Sequence, residues 1–262
     1  MKHYTRPQVL VLSGLDPSGG AGIQADIQAI TSIGCHPLPV VTCLTVQDTR
    51  NVLGADAVDP DLVRRQLDCV SEDAPIHAVK TGALGNAAIV EVLTEFLEQR
   101  PDIPLITDPV AKAAGGGDLA DDNILTSMKT RLFPLAEMIT PNGIELALLG
   151  QSDDPDEAAR RLIENGCESV LATGGHGTGV RIINTLYDHS PTPITWELER
   201  IGGEYHGTGC TLAAAIAAGR AQGLSARAAI SQAQNYVHRT IQHALEVGKG
   251  QPVPDRGILW ER

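Results

Sequence analysis

Short apolar runs alternate with amphipathic stretches along the whole chain, and most alternations close on a turn rich in glycine or polar residues. Gln8-Val9-Leu10-Val11-Leu12 stops at Ser13-Gly14, the pattern of a strand buried on both faces. Ile23 to Ile30 follows with helical spacing, and Gly34 is its stop. Pro39 to Val46 is β-branched and apolar and ends at Gln47-Asp48-Thr49. Asp59-Pro60-Asp61 supplies a cap and a first-turn proline to a helix whose apolar face runs from Leu62 to Val70. Further strands are predicted at Ile76 to Val79, Pro104 to Thr107, Glu137 to Thr140 and Ser169 to Thr173. Helices are predicted at Asn86 to Leu97, from Asp154-Pro155 onward, and at Ser225 to Leu245. Val180 to Tyr187 and Pro193 to Glu199 read as a β-hairpin or flap. This order predicts an α/β fold: a single domain over residues 1–262, with a doubly wound, mostly parallel sheet, helices on both faces and the small hairpin.

His206-Gly207-Thr208-Gly209-Cys210-Thr211 runs into Leu212-Ala213-Ala214-Ala215-Ile216-Ala217-Ala218, a helix apolar on nearly every side. The glycines let the backbone turn sharply, and a helix N-terminus offers free N–H groups and partial positive charge to a phosphate or oxyanion. In that field the Cys210 thiol is expected to shift towards thiolate. The alternative is a glycine-rich entry to a buried helix, with an inert cysteine.

Composition narrows the class. Aromatic residues make up only 3% of 262, so Ala, Leu, Ile and Val must build the core. A net charge of −12 with no basic run argues against nucleic acid or a membrane surface as partner. Five scattered cysteines without a C-x-x-C pair suit a reducing compartment. With no signal peptide and no spanning apolar run, the expected location is the cytoplasm.

Chemistry gathers at the ends of the predicted strands. Gly14-Leu15-Asp16-Pro17-Ser18-Gly19-Gly20-Ala21-Gly22 joins a strand to a helix, yet it lacks the Lys-Ser/Thr of a P-loop and the G-x-G-x-x-G of a dinucleotide site. It remains a loop whose backbone can approach a small ligand, with Asp26 pointing back towards it, or a tight turn with a solvated aspartate. The Gln47 amide can read a heterocycle or order its own loop. Asp108, in Asp108-Pro109-Val110, is placed for a metal or a magnesium-bound phosphate. Ala114-Gly115-Gly116-Gly117-Asp118 is a candidate lid. Asn142 and Glu145 share a helix face and also spell a capping box. Gly174-Gly175-His176-Gly177-Thr178-Gly179 is a second glycine-rich loop.

The segments G-L-D-P-S-G-G-A-G-I-Q-A-D (Gly14 to Asp26), T-V-Q-D-T-R-N (Thr45 to Asn51), Asp108-Pro109-Val110 and I-T-P-N-G-I-E (Ile139 to Glu145) carry a family resemblance. So do Gly174-Gly175-His176, H-G-T-G-C-T-L (His206 to Leu212) and E-V-G-K-G (Glu246 to Gly250). Together they resemble the hydroxymethylpyrimidine/phosphomethylpyrimidine kinases of thiamine biosynthesis, which have a ribokinase-like fold. The resemblance implies ATP-dependent phosphorylation of 4-amino-5-hydroxymethyl-2-methylpyrimidine and then of its monophosphate. It implies that Gly14, Asp26, Gln47, Ala83 and Val110 hold the pyrimidine. Asp108 and Glu145 would organise Mg²⁺, and Asn142, Thr173, Gly174, Gly175 and His176 the nucleotide. Gly207, Thr208 and Gly209 would form the anion hole, with Cys210 as base. A monovalent cation is a further candidate cofactor, and a homodimer is implied because relatives of the fold are often dimers. Ala83 and Ala111 stand where the family commonly has methionine, Thr173 where it has lysine, and Gly203-Glu204-Tyr205 where it has Asn-Thr. Thr173 implies that phosphate contact moves to Lys112 or Lys249. The competing readings are a pyridoxine/pyridoxal kinase of the same fold and a non-catalytic pyrimidine-binding protein.

Overall fold

The computed structural model describes residues 5–110, 120–175 and 179–257. Nine strands form one sheet in the order β3-β2-β1-β4-β5-β6-β7-β8-β9. Its middle is parallel: β2 (His36–Gln47), β1 (Gln8–Leu15), β4 (Ala78–Thr81), β5 (Leu105–Thr107), β6 (Met138–Ile139) and β7 (Val170–Ala172). Antiparallel strands finish both edges, β3 (Val52–Ala57) on one side, β8 (Arg181–Tyr187) and β9 (Ile194–Glu199) on the other.

The pleat sorts the apolar residues into two cores. Leu10, Leu12, Val79, Leu105 and Ile139 face helices α2 (Pro60–Asp73), α3 (Ala87–Glu98), α5 (Gly143–Gly150) and α6 (Pro155–Glu164). Their neighbours Val9, Val11, Ala78, Ile106 and Met138 face α1 (Gly22–Ile33), α7 (Thr208–Ala221) and α8 (Ala226–Gln242). Strands covered on both faces are why the first strand reads as an unbroken apolar run. A short helix α4 (Asp122–Ser127), continued by a π-turn and a 3₁₀ turn to Leu135, completes the layer beside α3. The doubly wound prediction holds, with helices on both faces.

Alanines let α7 pack closely. Residues Ala213 to Ala218 are fully buried between sheet, α1 and α8. A side chain at Gly219 would sit 2.9 Å from Ala229 Cβ on α8.

Three details differ from the sequence reading. β1 continues to Leu15 across a register shift at Gly14, where a Cβ would lie 2.6 Å from Cys43 Sγ. The hairpin of β8 and β9 forms, but it extends the main sheet. A second hairpin, β2–β3, had no sequence prediction behind it. Val52-Leu53-Gly54-Ala55-Asp56-Ala57 is mostly exposed and carries a glycine and an aspartate, so its strand character comes from pairing with β2. The expected lid, together with Ala111, Lys112 and His176, lies outside the described residues.

Candidate active site

Parallel strands present their carboxyl ends at one edge of the sheet, and the candidate residues collect there. Gly14 lies in the last turn of β1, Gln47 ends β2, Ala83 follows β4, and Asp108 and Val110 follow β5. Asn142 and Glu145 follow β6, and Thr173, Gly174 and Gly175 follow β7. Gly14 and Ala83 meet: a Cβ on Gly14 would lie 3.6 Å from Ala83 Cβ. Asn142 and Thr173 are bridged in parallel, and the Thr173 N–H donates to Pro141 O at 2.9 Å.

Helix N-termini set this edge apart. Side chains cap α2, α3, α4, α5, α6 and α8, through Asp59, Asn86, Asp121, Asn142, Asp154 and Ser225. Helices α1 and α7 begin on Ala21 and Gly207 with no side-chain cap. These two follow the two glycine-rich loops that touch each other. A Cβ on Gly207, whose φ is 86°, would fall 1.9 Å from Gly20 O, and one on Gly20 would fall 2.3 Å from His206 Cδ2. Only glycine fits both positions. The first-turn N–H groups of α7 at Thr208, Gly209 and Cys210 are left for a ligand.

Asp16 ties the loops together. Its carboxylate accepts from Ser18 N and Ala21 N, both at 2.8 Å, and lies 2.8 Å from His206 Nε2. Burial alone would raise this carboxyl, but hydrogen bonds from His206, Gln47 and Ser18 hold it well below the usual carboxylate range. Gln47 therefore rests against Asp16 at the end of β2.

Beneath α7 lies a buried charge cluster. Lys80 and Asp26, both 0% exposed, form an ion pair at 2.7–2.8 Å. Burial would pull Lys80 down, yet the carboxylates of Asp26 and Asp108 outweigh it and keep the ammonium charged. Cys210 sits between two partners, donating to Asp108 and accepting from the Gly22 N–H. Burial also pushes Asp108 up, against the pull of Lys80 and the Cys210 donor.

Two sequence expectations are corrected here. The sequence places Asp26 towards the pyrimidine; in the structure it points into the core, at Lys80, because the helix face carrying it packs onto β1, β2 and α7. Cys210 was expected to lean towards thiolate. Burial first, and the Asp108 carboxylate second, push its thiol up, so in the ligand-free site it carries its proton. Asn142 and Glu145 form a complete capping box: Asn142 Oδ1 accepts from Ile144 N and Glu145 N, both at 3.0 Å, and Glu145 Oε2 accepts from Asn142 N at 3.0 Å. The cap geometry occupies one oxygen of each side chain.

The loop after β7 is held differently. Gly174 N donates to Asn184 Oδ1 at 3.0 Å, and Asn184 Nδ2 donates to Gln234 Oε1 at 2.9 Å. Arg200, just past β9, donates to the carbonyls of Gly174, Gly175 and Gly179. The sequence reading missed Lys80, Arg200 and the Asp16–His206 contact. A lysine inside the apolar run of β4 was the one usable signal, since a buried ammonium requires a carboxylate partner.

Among the described residues no group of three or more His, Cys, Asp and Glu side chains is placed to hold a metal ion. Asp108 and Glu145 on adjacent strand ends fit magnesium that arrives on nucleotide phosphates, since that ion takes one or two protein carboxylates and keeps water and phosphate as its other ligands. All five cysteines are free. No described helix is long and apolar enough to cross a membrane.

Residues 16–254 match the family model described as phosphomethylpyrimidine kinase. The hydroxymethylpyrimidine/phosphomethylpyrimidine kinase of Synechococcus elongatus is 40% identical over 252 residues, covering 94% of this chain and 95% of that protein. The thiamine biosynthesis bifunctional protein ThiED of Geobacter sulfurreducens is also 40% identical, and there the chain spans only 51% of the relative's length. Among solved structures, the Clostridium difficile phosphomethylpyrimidine kinase superposes with TM-score 0.77 at 29% identity, covering 89% of this chain and 99% of that one. An ADP complex of Bacillus subtilis pyridoxal kinase superposes with TM-score 0.89 at 28% identity, covering 98% and 100%. A match over nearly the whole sheet and every strand-end loop leaves one assignment, and the chain belongs to the phosphomethylpyrimidine kinase family.

Proposed function

We propose that this chain transfers the terminal phosphoryl group of ATP to the hydroxymethyl oxygen of 4-amino-5-hydroxymethyl-2-methylpyrimidine, and then to the resulting monophosphate, in thiamine biosynthesis. The observation that carries the reading is the uncapped N-terminus of α7, entered through a glycine loop packed on the Gly20 loop, with Cys210 in its first turn beside Asp108. Phosphoryl transfer passes through a loose transition state, so positioning and charge neutralisation do most of the work. The N–H groups of Thr208, Gly209 and Cys210 meet the charge that develops on the transferred group. Magnesium, when bound with ATP, neutralises the phosphate oxygens beside Asp108 and Glu145.

In the first step an O–P bond forms at the alcohol oxygen, the bond to ADP breaks, and the hydroxyl proton leaves towards the Cys210–Asp108 pair. The hydrogen bond between these two makes the pair, rather than the thiol alone, the acceptor. In the second step the nucleophile is a phosphate oxygen already ionised near neutral pH, and no base is required. Gly14, Gln47, Ala83 and Val110 are proposed to line the pyrimidine site. Asn142, Thr173, Gly174, Gly175 and His176 are proposed to lie along the nucleotide. Asp26 supports the site from below through Lys80. One domain over residues 1–262 and a cytoplasmic location, read from the sequence, and a homodimer and a monovalent cation, implied by the resemblance, remain parts of the same reading.

A second reading, pyridoxal phosphorylation, is favoured by the close superposition on the Bacillus subtilis pyridoxal kinase. A coupled ATP assay with Mg²⁺, offering each pyrimidine and pyridoxal separately, decides between them. Turnover of both pyrimidines with little on pyridoxal is expected. Turnover of pyridoxal alone moves the substrate class, and ligand binding without turnover makes the chain a binding protein.

A further inference from the structure

The chain beyond α8 folds back as a strap. Leu245 and Val253 pair as an antiparallel bridge, with N–H to O distances of 2.8 and 3.0 Å. Between them Gly250 N donates to Thr49 Oγ1 at 2.9 Å and Gln251 N donates to Thr49 O at 3.0 Å, which fastens the strap to the β2–β3 turn. A Cβ on Gly250 would lie 2.0 Å from Thr49 O, so the two backbones run in direct contact. His206 N then donates to Pro252 O at 2.9 Å, fastening the strap to the loop before α7.

The strap delivers Arg256. Its carbonyl accepts from Tyr236 OH at 3.1 Å and from Ser32 Oγ, so the backbone of this residue is fixed on α1 and α8. Its side chain is 2% exposed and reaches between the two glycine-rich loops. Nε donates to Thr211 Oγ1 at 2.7 Å, Nη2 to Gly20 O at 2.5 Å and to Gly207 O at 3.4 Å, and Nη1 to Gln28 Oε1 at 3.4 Å. Every one of these acceptors is neutral. None of the ion pairs among the described residues involves Arg256. Asp26 and Asp16 favour its charge only from a distance, and a buried guanidinium with no carboxylate in direct contact is costly to keep. The fold keeps it directly behind the N-terminus of α7.

We propose that Arg256 is the positioning residue of the anion hole. A planar trans peptide points its C=O and N–H in opposite directions. The Gly207 carbonyl accepts from Thr211 N at 3.0 Å and Thr211 Oγ1 at 2.7 Å, and Arg256 holds that hydroxyl in place as well as reaching the carbonyl itself, which together aim the Thr208 N–H away from Arg256, towards the open side of the site. The same fork holds the Gly20 carbonyl and fixes the spacing of the two loops. The guanidinium charge, with no carboxylate bonded to it, adds to the positive end of α7. Arg256 touches no reacting atom, and its effect passes through Gly207 and Thr211.

The inference rests on the phosphoryl-transfer reading, and the test separates the two. Amide chemical shifts of Thr208 and Gly209 are followed while inorganic sulfate is titrated into the wild type, Arg256→Lys, Arg256→Met and Tyr236→Phe, and kcat and KM are measured on the same four proteins. The wild type is expected to show a saturable shift at both amides. Arg256→Met is expected to bind sulfate about tenfold or more weakly and to lose about 30- to 100-fold in kcat on both substrates, with KM for ATP within about threefold. Arg256→Lys restores part of both losses, and Tyr236→Phe, which loosens the strap but keeps the fork, stays near wild type. If Arg256→Met does not fold, a lower kcat in folded Arg256→Lys supports the proposal. Wild-type kcat in either folded variant overturns it, as does a sulfate response in Arg256→Met equal to wild type, a wild type without any sulfate response, or a loss in Tyr236→Phe as large as in Arg256→Met. A wild type that binds sulfate but turns over no substrate overturns the kinase reading instead.

Discussion

The glycine-rich loop before α7 and the one after β7 are each held by an arginine from a distant segment, and the two arginines sit in different surroundings. Arg256 is buried among neutral acceptors, whereas Arg200 lies part-exposed at the end of β9 and grips three carbonyls beside solvent. A surface contact of that kind contributes little to stability and rearranges cheaply. A buried one is costly to build and costly to disturb. The contrast suits the two tasks. On the proposed reading, donors before α7 that face a transferring phosphoryl group must already be in place when charge develops. The loop after β7, if it receives and releases the nucleotide as proposed, benefits from a hold that yields.

The sharpest way to break this contrast is to add one methyl group to each loop. Gly207→Ala forces a positive φ and drives a Cβ into Gly20 O, so a loss of about 3–5 kcal/mol in unfolding free energy is expected. Gly175→Ala meets nothing within 4 Å, and a change under about 0.5 kcal/mol is expected. Chemical denaturation of both variants checks the pair, and equal losses would sink the comparison.

Next in size is the cluster beneath the rigid loop. Lys80→Met leaves Asp26 buried without its partner and is expected to cost about 3–5 kcal/mol at neutral pH. Burial already raises the Asp26 carboxyl above its unfolded value against the pull of Lys80, and without the ammonium it rises further, so the folded variant binds that proton more tightly than the unfolded chain. The penalty is therefore smallest below about pH 4 and grows as pH rises. Denaturation at pH 4 and pH 7 reads the difference, and a pH-independent penalty contradicts the assignment.

Cys210→Ala addresses chemistry rather than folding. A loss of about 10²- to 10⁴-fold in kcat is expected for the alcohol and less than about tenfold for the monophosphate. Equal losses on the two substrates, measured separately, would remove Cys210 from the base role. On the yielding side, Arg200→Ala is expected to raise KM for ATP about three- to tenfold with kcat nearly unchanged. A fall in kcat with KM intact would place Arg200 among the rigid parts.

The smallest expected effect is in acid. Asp16 titrates well below the usual range when folded, so the stability it adds is complete above about pH 4 and declines as pH falls further. The Tm gap between wild type and Asp16→Asn should narrow from pH 6 to pH 3. A constant gap would show that the clamp does not depend on the Asp16 charge.

Local chemistry was legible in the sequence and long-range pairing was not. The Asp59-Pro60 start of α2, the Gly34 stop of α1 and the capping box of Asn142 and Glu145 are decided within a few residues, and all appear as read. The buried character of α7 follows from its own alanines. The partners of Lys80, Asp16 and Arg256 lie 54, 190 and up to 236 positions away, and no local pattern announces them. Asp26 was misjudged for the same reason: its spacing from the glycine loop was visible, but the lysine that faces it was not. The thiol of Cys210 was read from the helix field alone, whereas the carboxylate and burial that oppose that field come from β5 and the packed core.

The strap carries a consequence for biosynthesis. Gly20 and Arg256 are 236 positions apart, and at ~5–20 residues per second the ribosome needs roughly 10–50 s to make the interval. During that time the nascent sheet can assemble from β1 to β9, while the loop at Gly20 waits for the guanidinium that will hold it. On the proposed role of Arg256, the loop at Gly20 is thus among the last parts to mature, and a stalled or clipped nascent chain would present a near-complete fold with impaired activity.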